Sequence, residues 1–362
     1  MKQTSRIIST YSSDTFGVCS ALFELGGMVV MHDASGCNGT YTTHDEPRWF
    51  DMDSMVYISA LTEMEAIMGD DEKLISDIAA AAEELRPKFI AIVGTPIPTM
   101  VGFDFQAVAA FIEERTGIPS FGFEATGMNT YVHGVSMALE TLAKYYAADS
   151  DKKTEKPSMN ILGLTPLDFS MNGQAESIGK WAGEQGYEVL SSWAMGSTLE
   201  DIARAGEAHL NLVVSAGGLK AAKILRKRFG TPYLVGVPMD GKMEPSDLPG
   251  ASIVVVGEGV YSLSLAWALE RKFQRGVRVI CTTECDLSLL RAKDLMLRDE
   301  VEIEKALQDA QIIIADPLYR PICPESACFV NLPAESFSGR IYRKQIPDLV
   351  ADFDSFAKEL IV

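Results

Sequence analysis

The sequence has no excess of positive charge. Its 32 Lys and Arg stand against 50 Asp and Glu, a net charge of −18 over 362 residues, and no stretch is basic. This excludes a nucleic-acid binder, because neutralising phosphates needs clustered cations. It equally excludes a polybasic membrane-surface protein. Long hydrophobic runs are missing too: the apolar stretch 253–269 is interrupted by Glu258, so no segment is expected to span a bilayer. No sustained hydrophobic region follows Met1-Lys2-Gln3, which argues against a signal peptide and for a cytoplasmic protein. Six cysteines in 362 residues are too few for a disulfide framework. There is no G-x-x-x-x-G-K-[ST], hence no P-loop for ATP, and no G-x-S-x-G of a serine hydrolase.

What is present reads as an α/β protein. Hydrophobic residues make up 47% and glycines number 29, which suits a packed chain and not a disordered one. Short apolar runs such as 89–93 (FIAIV), 210–215 (LNLVVS) and 251–257 (ASIVVVG) alternate with helical stretches. Three such series predict three Rossmann-like domains with parallel, doubly wound sheets. The charged, Pro-terminated 148–157 and the Pro/Gly/Asp-rich 238–249 are the expected boundaries. The division is 1–155 (an N-terminal loop plus the first domain), 156–245, and 246–362 with a C-terminal helix. Gly117-Ile118-Pro119 and Gly230-Thr231-Pro232 echo each other, with Gly closing a helix and Pro opening an extended segment. Gly257-Glu258-Gly259 holds two glycines of a dinucleotide fingerprint and reads more simply as a tight strand-to-helix turn. The first fifty residues break the rhythm. The Gly-, Ser- and Cys-rich 16–43 is expected to be a loop with one short helix, held by a cofactor or a partner.

Cys19 and Cys37 lie eighteen apart, each beside a glycine that would let the backbone approach a cluster and offer N–H groups to sulfide. Two isolated cysteines are more often core residues than ligands, and two thiolates fall short of the four that a [4Fe–4S] cluster takes. A two-fold axis through the site would supply two plus two. Cys281/Cys285 and Cys323/Cys328 follow two strands of the third unit, but C-x3-C and C-x4-C match no common zinc or ferredoxin spacing, which favours core thiols. Of the four histidines (His32, His44, His133 and His209), His32 and His44 flank Cys37, and Asp33 is near in sequence. These three are the candidates for delivering protons.

The segments 29–41 (VVMHDASGCNGTY), 60–75 (ALTEMEAIMGDDEKLI) and 92–103 (IVGTPIPTMVGF), then 196–202 with 210–215, then 312–320, resemble in order the nitrogenase component 1 family. That family holds the nitrogenase MoFe-protein subunits, their cofactor scaffolds and the catalytic subunits of dark-operative protochlorophyllide reductase. The resemblance implies three Rossmann-like domains. It implies an interfacial [4Fe–4S] cluster with Cys19 and Cys37 at ligand positions, and electrons from a separate ATP-dependent Fe-protein-like reductase. Thr95-Pro96 stands where the family has its next Cys, Ser215 where the nitrogenase catalytic subunit has its cofactor Cys, and no His follows His209. An eight-iron cluster, an iron–molybdenum cofactor and dinitrogen reduction are therefore not expected. In its short length the chain looks more like the homodimeric relative that reductively cyclises nickel-sirohydrochlorin. The expectation is a homodimeric reductase of a small-molecule or tetrapyrrole-type substrate, lined by the loops 94–100, 164–172 and 216–219. The alternatives are a scaffold that holds a metallocluster or tetrapyrrole without turnover, and a cluster-free relative with six core thiols.

Overall fold

The computed structural model describes residues 5–36, 38–150 and 152–360. Three parallel sheets carry the chain. The first has the order β2-β1-β3-β4, with β1 Met28–Met31, β2 Met55–Ile58, β3 Ile90–Val93 and β4 Ser120–Phe123. The second has the order β6-β5-β7-β8, with β5 Ser158–Leu162, β6 Glu188–Ser192, β7 Leu210–Val213 and β8 Tyr233–Val235. The third runs β11-β10-β9-β12-β13, with β9 Ile253–Gly257, β10 Val277–Cys281, β11 Leu295–Met296, β12 Ile312–Ala315 and β13 Cys328–Asn331. Every strand pair in the three sheets is parallel, as strands joined by crossover helices must be. The expected α/β fold with three parallel sheets is the observed one.

The central strands are buried along their whole length and are therefore continuously apolar: MVVM in β1, IAIV in β3 and IVVVG in β9. Helices cover both faces of each sheet. Gly117 and Gly230 end their helices in the left-handed conformation at φ 70° and 69°, as the repeated Gly-x-Pro motif implied. Glu258 caps the helix Gly259–Phe273 by accepting the N–H of Tyr261 at 2.8 Å, so the Gly-Glu-Gly segment is a strand-to-helix turn.

The N-terminal segment departs from expectation. The described part of 16–43 is not mainly loop, and its residues are largely buried. They hold most of a fully buried helix, Asp14–Leu22, and β1, the strand at the middle of the first sheet between β2 and β3. Only four residues long, β1 has glycines before it and polar His32-Asp33 after it, which hid it among turn residues. The helix is not amphipathic, because it is enclosed on all sides.

Candidate functional site at the carboxyl edge of the first sheet

The Asp14–Leu22 helix organises this edge. It crosses the Tyr131–Tyr145 helix backbone to backbone. A Cβ on Gly17 would lie 2.0 Å from the Tyr131 carbonyl oxygen, and one on Gly134 would lie 1.8 Å from the Asp14 carbonyl oxygen. The bareness of Gly17 thus serves a helix crossing and not a cluster. At the helix start, the buried Asp14 carboxylate accepts the N–H groups of Thr126 at 3.0 Å and Gly127 at 2.7 Å, and the Asn129 amide at 3.0 Å. Thr15 donates its hydroxyl to the Gly94 carbonyl at 2.8 Å. One helix therefore fixes the loops that follow β3 and β4.

At the ends of β1 and β3, Asp33 is buried. Its carboxylate accepts the Asn38 amide at 2.8 Å and the Thr95 hydroxyl at 3.3 Å, while that hydroxyl also donates to the His32 carbonyl at 2.7 Å. His32 shares a 2.9 Å hydrogen bond between Nδ1 and the Ser59 hydroxyl, and its ring stacks 4.4 Å from that of Phe103. Burial pushes the imidazole down to about 4, so it is neutral near pH 7. It lines a pocket of about 230 Å³ whose walls combine Met28, Val30 and Leu74 with the charged Glu65, Asp70 and Lys73. His44 sits on the turn Tyr41–Asp45, half-buried, 2.7 Å from the Thr43 hydroxyl and 3.8 Å from Asp45. His32 and Asp33 thus share the Thr95 and Ser59 hydroxyls, whereas His44 has its own partners in Thr43 and Asp45, and among the described residues no side-chain hydrogen bond or ion pair joins the three into one relay.

Cys19, one of the two expected cluster ligands, lies in the Asp14–Leu22 helix. Its side chain is fully buried in the core shared with Phe16, Leu22 and Tyr41. Burial first, and the nearby Glu46 carboxylate second, push its thiol well above the ordinary cysteine range. The same loop ties itself down through Arg48, whose buried guanidinium bonds Glu46 at 2.6 Å, Glu24 at 2.9 Å, and the carbonyls of Ser20 at 2.8 Å and Ala194 at 2.7 Å. Sequence reasoning missed Arg48 and Asp14. A lone arginine after Glu-Pro gives no signal that it will be enclosed. Cys37, the other expected ligand, lies outside the described residues. Among the described residues no group of three or more His, Cys, Asp or Glu is placed to hold a metal. The described residues of one chain therefore do not form a cluster shell.

An exposed apolar face adjoins this edge. The helix Glu63–Met68 presents Met64, Ile67 and Met68, and the helix Pro96–Val101 presents Ile97, Met100 and Val101; Met128 joins them. The two helices pack on each other. Gly127 lies against the Pro96 ring, which brings Met128 beside the second helix. Met100 is 85% exposed and Met128 83%. The face is continuous with the polar edge, since the Leu61 N–H donates to the Asp33 carbonyl at 2.8 Å and Thr95 is the residue before Pro96.

Deeper, the loops after β5, β7, β9 and β12 meet. The Tyr131 hydroxyl donates to Asp168, and Glu258 accepts the Ala216 N–H at 2.9 Å. Burial raises both carboxyls above their ordinary values. With Asp316 they line a cavity of about 30 Å³, room for one or two waters. This cavity among the described residues is too small for a tetrapyrrole.

The profile of the nitrogenase component 1 type oxidoreductases matches residues 13–242, well over half of the sequence. The chain belongs to this family. It is 30% identical over 178 residues to the nitrogenase iron-molybdenum cofactor biosynthesis protein NifE of Clostridium pasteurianum, a match covering 48% of this chain and 38% of that protein. It is 27% identical over 183 residues to one of the subunits of light-independent protochlorophyllide reductase from Leptolyngbya boryana, covering 47% and 35%. The chain thus spans well under half the length of these relatives. Its fold aligns over its whole length with nitrogenase Cp1 at pH 5, covering 89% of that chain with a TM-score of 0.68 at 15% identity. No helix among the described residues is long and apolar enough to cross a membrane.

Proposed function

We propose that this chain is a nitrogenase-like reductase component that works as a homodimer. It takes electrons from a separate ATP-dependent Fe-protein-like reductase and passes them to a small-molecule substrate. The three domains expected from the sequence, 1–155, 156–245 and 246–362, belong to the same reading. The observation that carries it is the continuity between the Asp33–Thr95 edge and the apolar face of the Glu63–Met68 and Pro96–Val101 helices. Monomers seldom expose so much apolar surface in one patch. A second copy suits it because the Pro96–Val101 helix carries no charge, so a two-fold contact there avoids like-charge repulsion despite the net −18.

In this reading Cys19 and Cys37 of both copies supply the four thiolates of one [4Fe–4S] cluster across the two-fold axis. Asp33 acts as a positioning residue, holding Asn38 and so the loop that precedes it. A tetrapyrrole substrate would require the inner loops to open. The match to NifE favours a second reading, a scaffold of the same fold without turnover.

The test uses protein purified without oxygen. Sedimentation should show a dimer that Met100→Glu converts to monomer. Iron and acid-labile sulfide should be lost in Cys37→Ala and in Cys19→Ala. A monomeric wild type, or iron unaffected by Cys37→Ala, overturns the proposal. Reduction of substrate by the loaded protein with a reduced Fe-protein-like partner and MgATP separates reductase from scaffold.

A further inference from the structure

The third sheet holds a second sulfur site that the first-sheet edge does not involve. Cys281 ends β10, and Cys285 follows four residues later in the next loop. Both sulfurs sit over Gly259, at the start of the helix Gly259–Phe273. A Cβ there would lie 2.5 Å from the Cys285 sulfur and 3.2 Å from the Cys281 sulfur. Only glycine leaves room for both, and the two thiols interact directly with each other, which together with burial holds the Cys285 thiol above the ordinary cysteine range, so that its attack is expected to be slow near neutral pH and faster in alkaline buffer. Their exposure differs. Cys281 is fully buried, whereas Cys285 is part-buried and lines a cavity of about 260 Å³ with His133, Lys220, Lys223 and Glu284. The remaining contacts of the sulfurs are weak: Cys281 to the Thr283 carbonyl at 3.4 Å, and Cys285 to the Asp286 carbonyl at 3.6 Å.

A structural thiol pair would have both sulfurs enclosed. A four-coordinate metal site would bring further ligands, and no such group exists among the described residues. One thiol reachable through a cavity, with a second buried behind it, is instead the arrangement of an attacking and a resolving cysteine. We propose that Cys281 and Cys285 are a reversible dithiol–disulfide pair, oxidised through the cavity by a low-molecular-weight disulfide. Cys285, as thiolate, attacks one sulfur of that disulfide and expels the other as a thiolate. Cys281, on losing its proton, attacks the Cys285 sulfur of the mixed disulfide and expels the second thiolate. The two cysteines lose two electrons and two protons, and the oxidant becomes two thiols. Excess low-molecular-weight thiol reverses the sequence.

The loop being closed matters to the rest of the molecule. Glu284, between the two cysteines, pairs with Arg298 at 2.9 Å and accepts both the N–H and the hydroxyl of Thr130, the residue before the Tyr131–Tyr145 helix. A cross-link therefore tightens a segment that ties the third sheet to the helix crossing at Gly134.

The full chain, reduced and then freed of reductant, is incubated with glutathione disulfide without denaturant, alkylated, and mapped by peptide mass. The expected product is a Cys281–Cys285 cross-link lacking two hydrogens, restored by excess glutathione. Cys281→Ser should stop at one glutathione on Cys285. Cys285→Ser should leave Cys281 unmodified. Phenylarsine oxide, which bridges closely spaced dithiols, should bind the wild-type pair and neither variant. If both cysteines stay alkylatable while urea-unfolded protein oxidises fully, the proposal fails; this result needs only the wild type. It also fails if Cys281→Ser takes no glutathione at Cys285. Neither outcome bears on the dimer or its iron.

Discussion

Asp14 shows how much one buried carboxylate organises: four donors from the loop 126–129 converge on it, the N–H and hydroxyl of Thr126, the N–H of Gly127 and the amide of Asn129. Cys19, one turn further along the same helix, has the opposite character, since its surroundings are apolar apart from Glu46. Cys19→Ser is therefore expected to destabilise the fold by about 1–3 kcal/mol, because a hydroxyl would be buried with few acceptors. Chemical denaturation measures this, and a stability equal to that of wild type would mean that the thiol is not a packing group. His32 gives a pH prediction. Its folded value of about 4 lies below the ordinary 6.5, so as pH falls the unfolded chain binds the proton first. Stability is unaffected above pH 6.5 and falls between about pH 6.5 and 4, by roughly 3 kcal/mol at most. His32→Gln keeps a partner for Ser59 and should flatten the stability curve in that window. An unchanged slope would show that another group titrates there.

Between elements, the crossing of the Asp14–Leu22 and Tyr131–Tyr145 helices is the tightest constraint. Gly17→Ala places a methyl 2.0 Å from a carbonyl oxygen that belongs to backbone and cannot swing away. A loss of more than about 2 kcal/mol is expected from overpacking. Gly179, in the helix Gln174–Glu184, offers the internal control. Nothing lies within 4 Å of its Cβ position, so Gly179→Ala should stabilise by about 0.5–1 kcal/mol through helix propensity. Equal effects at the two sites would show that the crossing is not packed as described. The elements also show what the sequence made legible. Helix Phe105–Thr116 and strand β4 Ser120–Phe123 were readable to the residue, because Gly117 and Pro119 punctuate them and the apolar spacing is regular. β1 and the helix before it were not. A four-residue strand lacks the length for periodicity to register, and a helix buried all round has no polar face to alternate with. The candidate site suffered most from this. Cys19 beside Gly17 suggested a cluster, and only the packing of Tyr131 against that glycine shows what the glycine does. The Cys281/Cys285 spacing was visible, but the value of Gly259 as their common seat depends on three-dimensional contact.

For the whole molecule, the net charge of −18 decides how it meets partners. Many of the cations are already matched in local pairs such as Lys88–Glu200 and Lys156–Glu188, which are exposed and worth little individually. What remains is a long-range negative field that the uncharged Pro96–Val101 helix interrupts. The two kinds of association proposed for this chain should therefore respond to salt in opposite ways. Self-association across the apolar face is opposed by the field, so screening should strengthen it or leave it unchanged. Docking of an Fe-protein-like reductase with a basic rim is assisted by the field, so its association rate should fall about tenfold or more as ionic strength rises from about 0.05 to 0.5 M. Sedimentation across that range, alongside stopped-flow association with such a reductase, tests both. A dimer that dissociates with salt would place charged pairs, and not Met64, Ile67 and Met100, at its centre. Association with the reductase that ignores salt would remove the electrostatic basis for pairing this acidic chain with a basic partner.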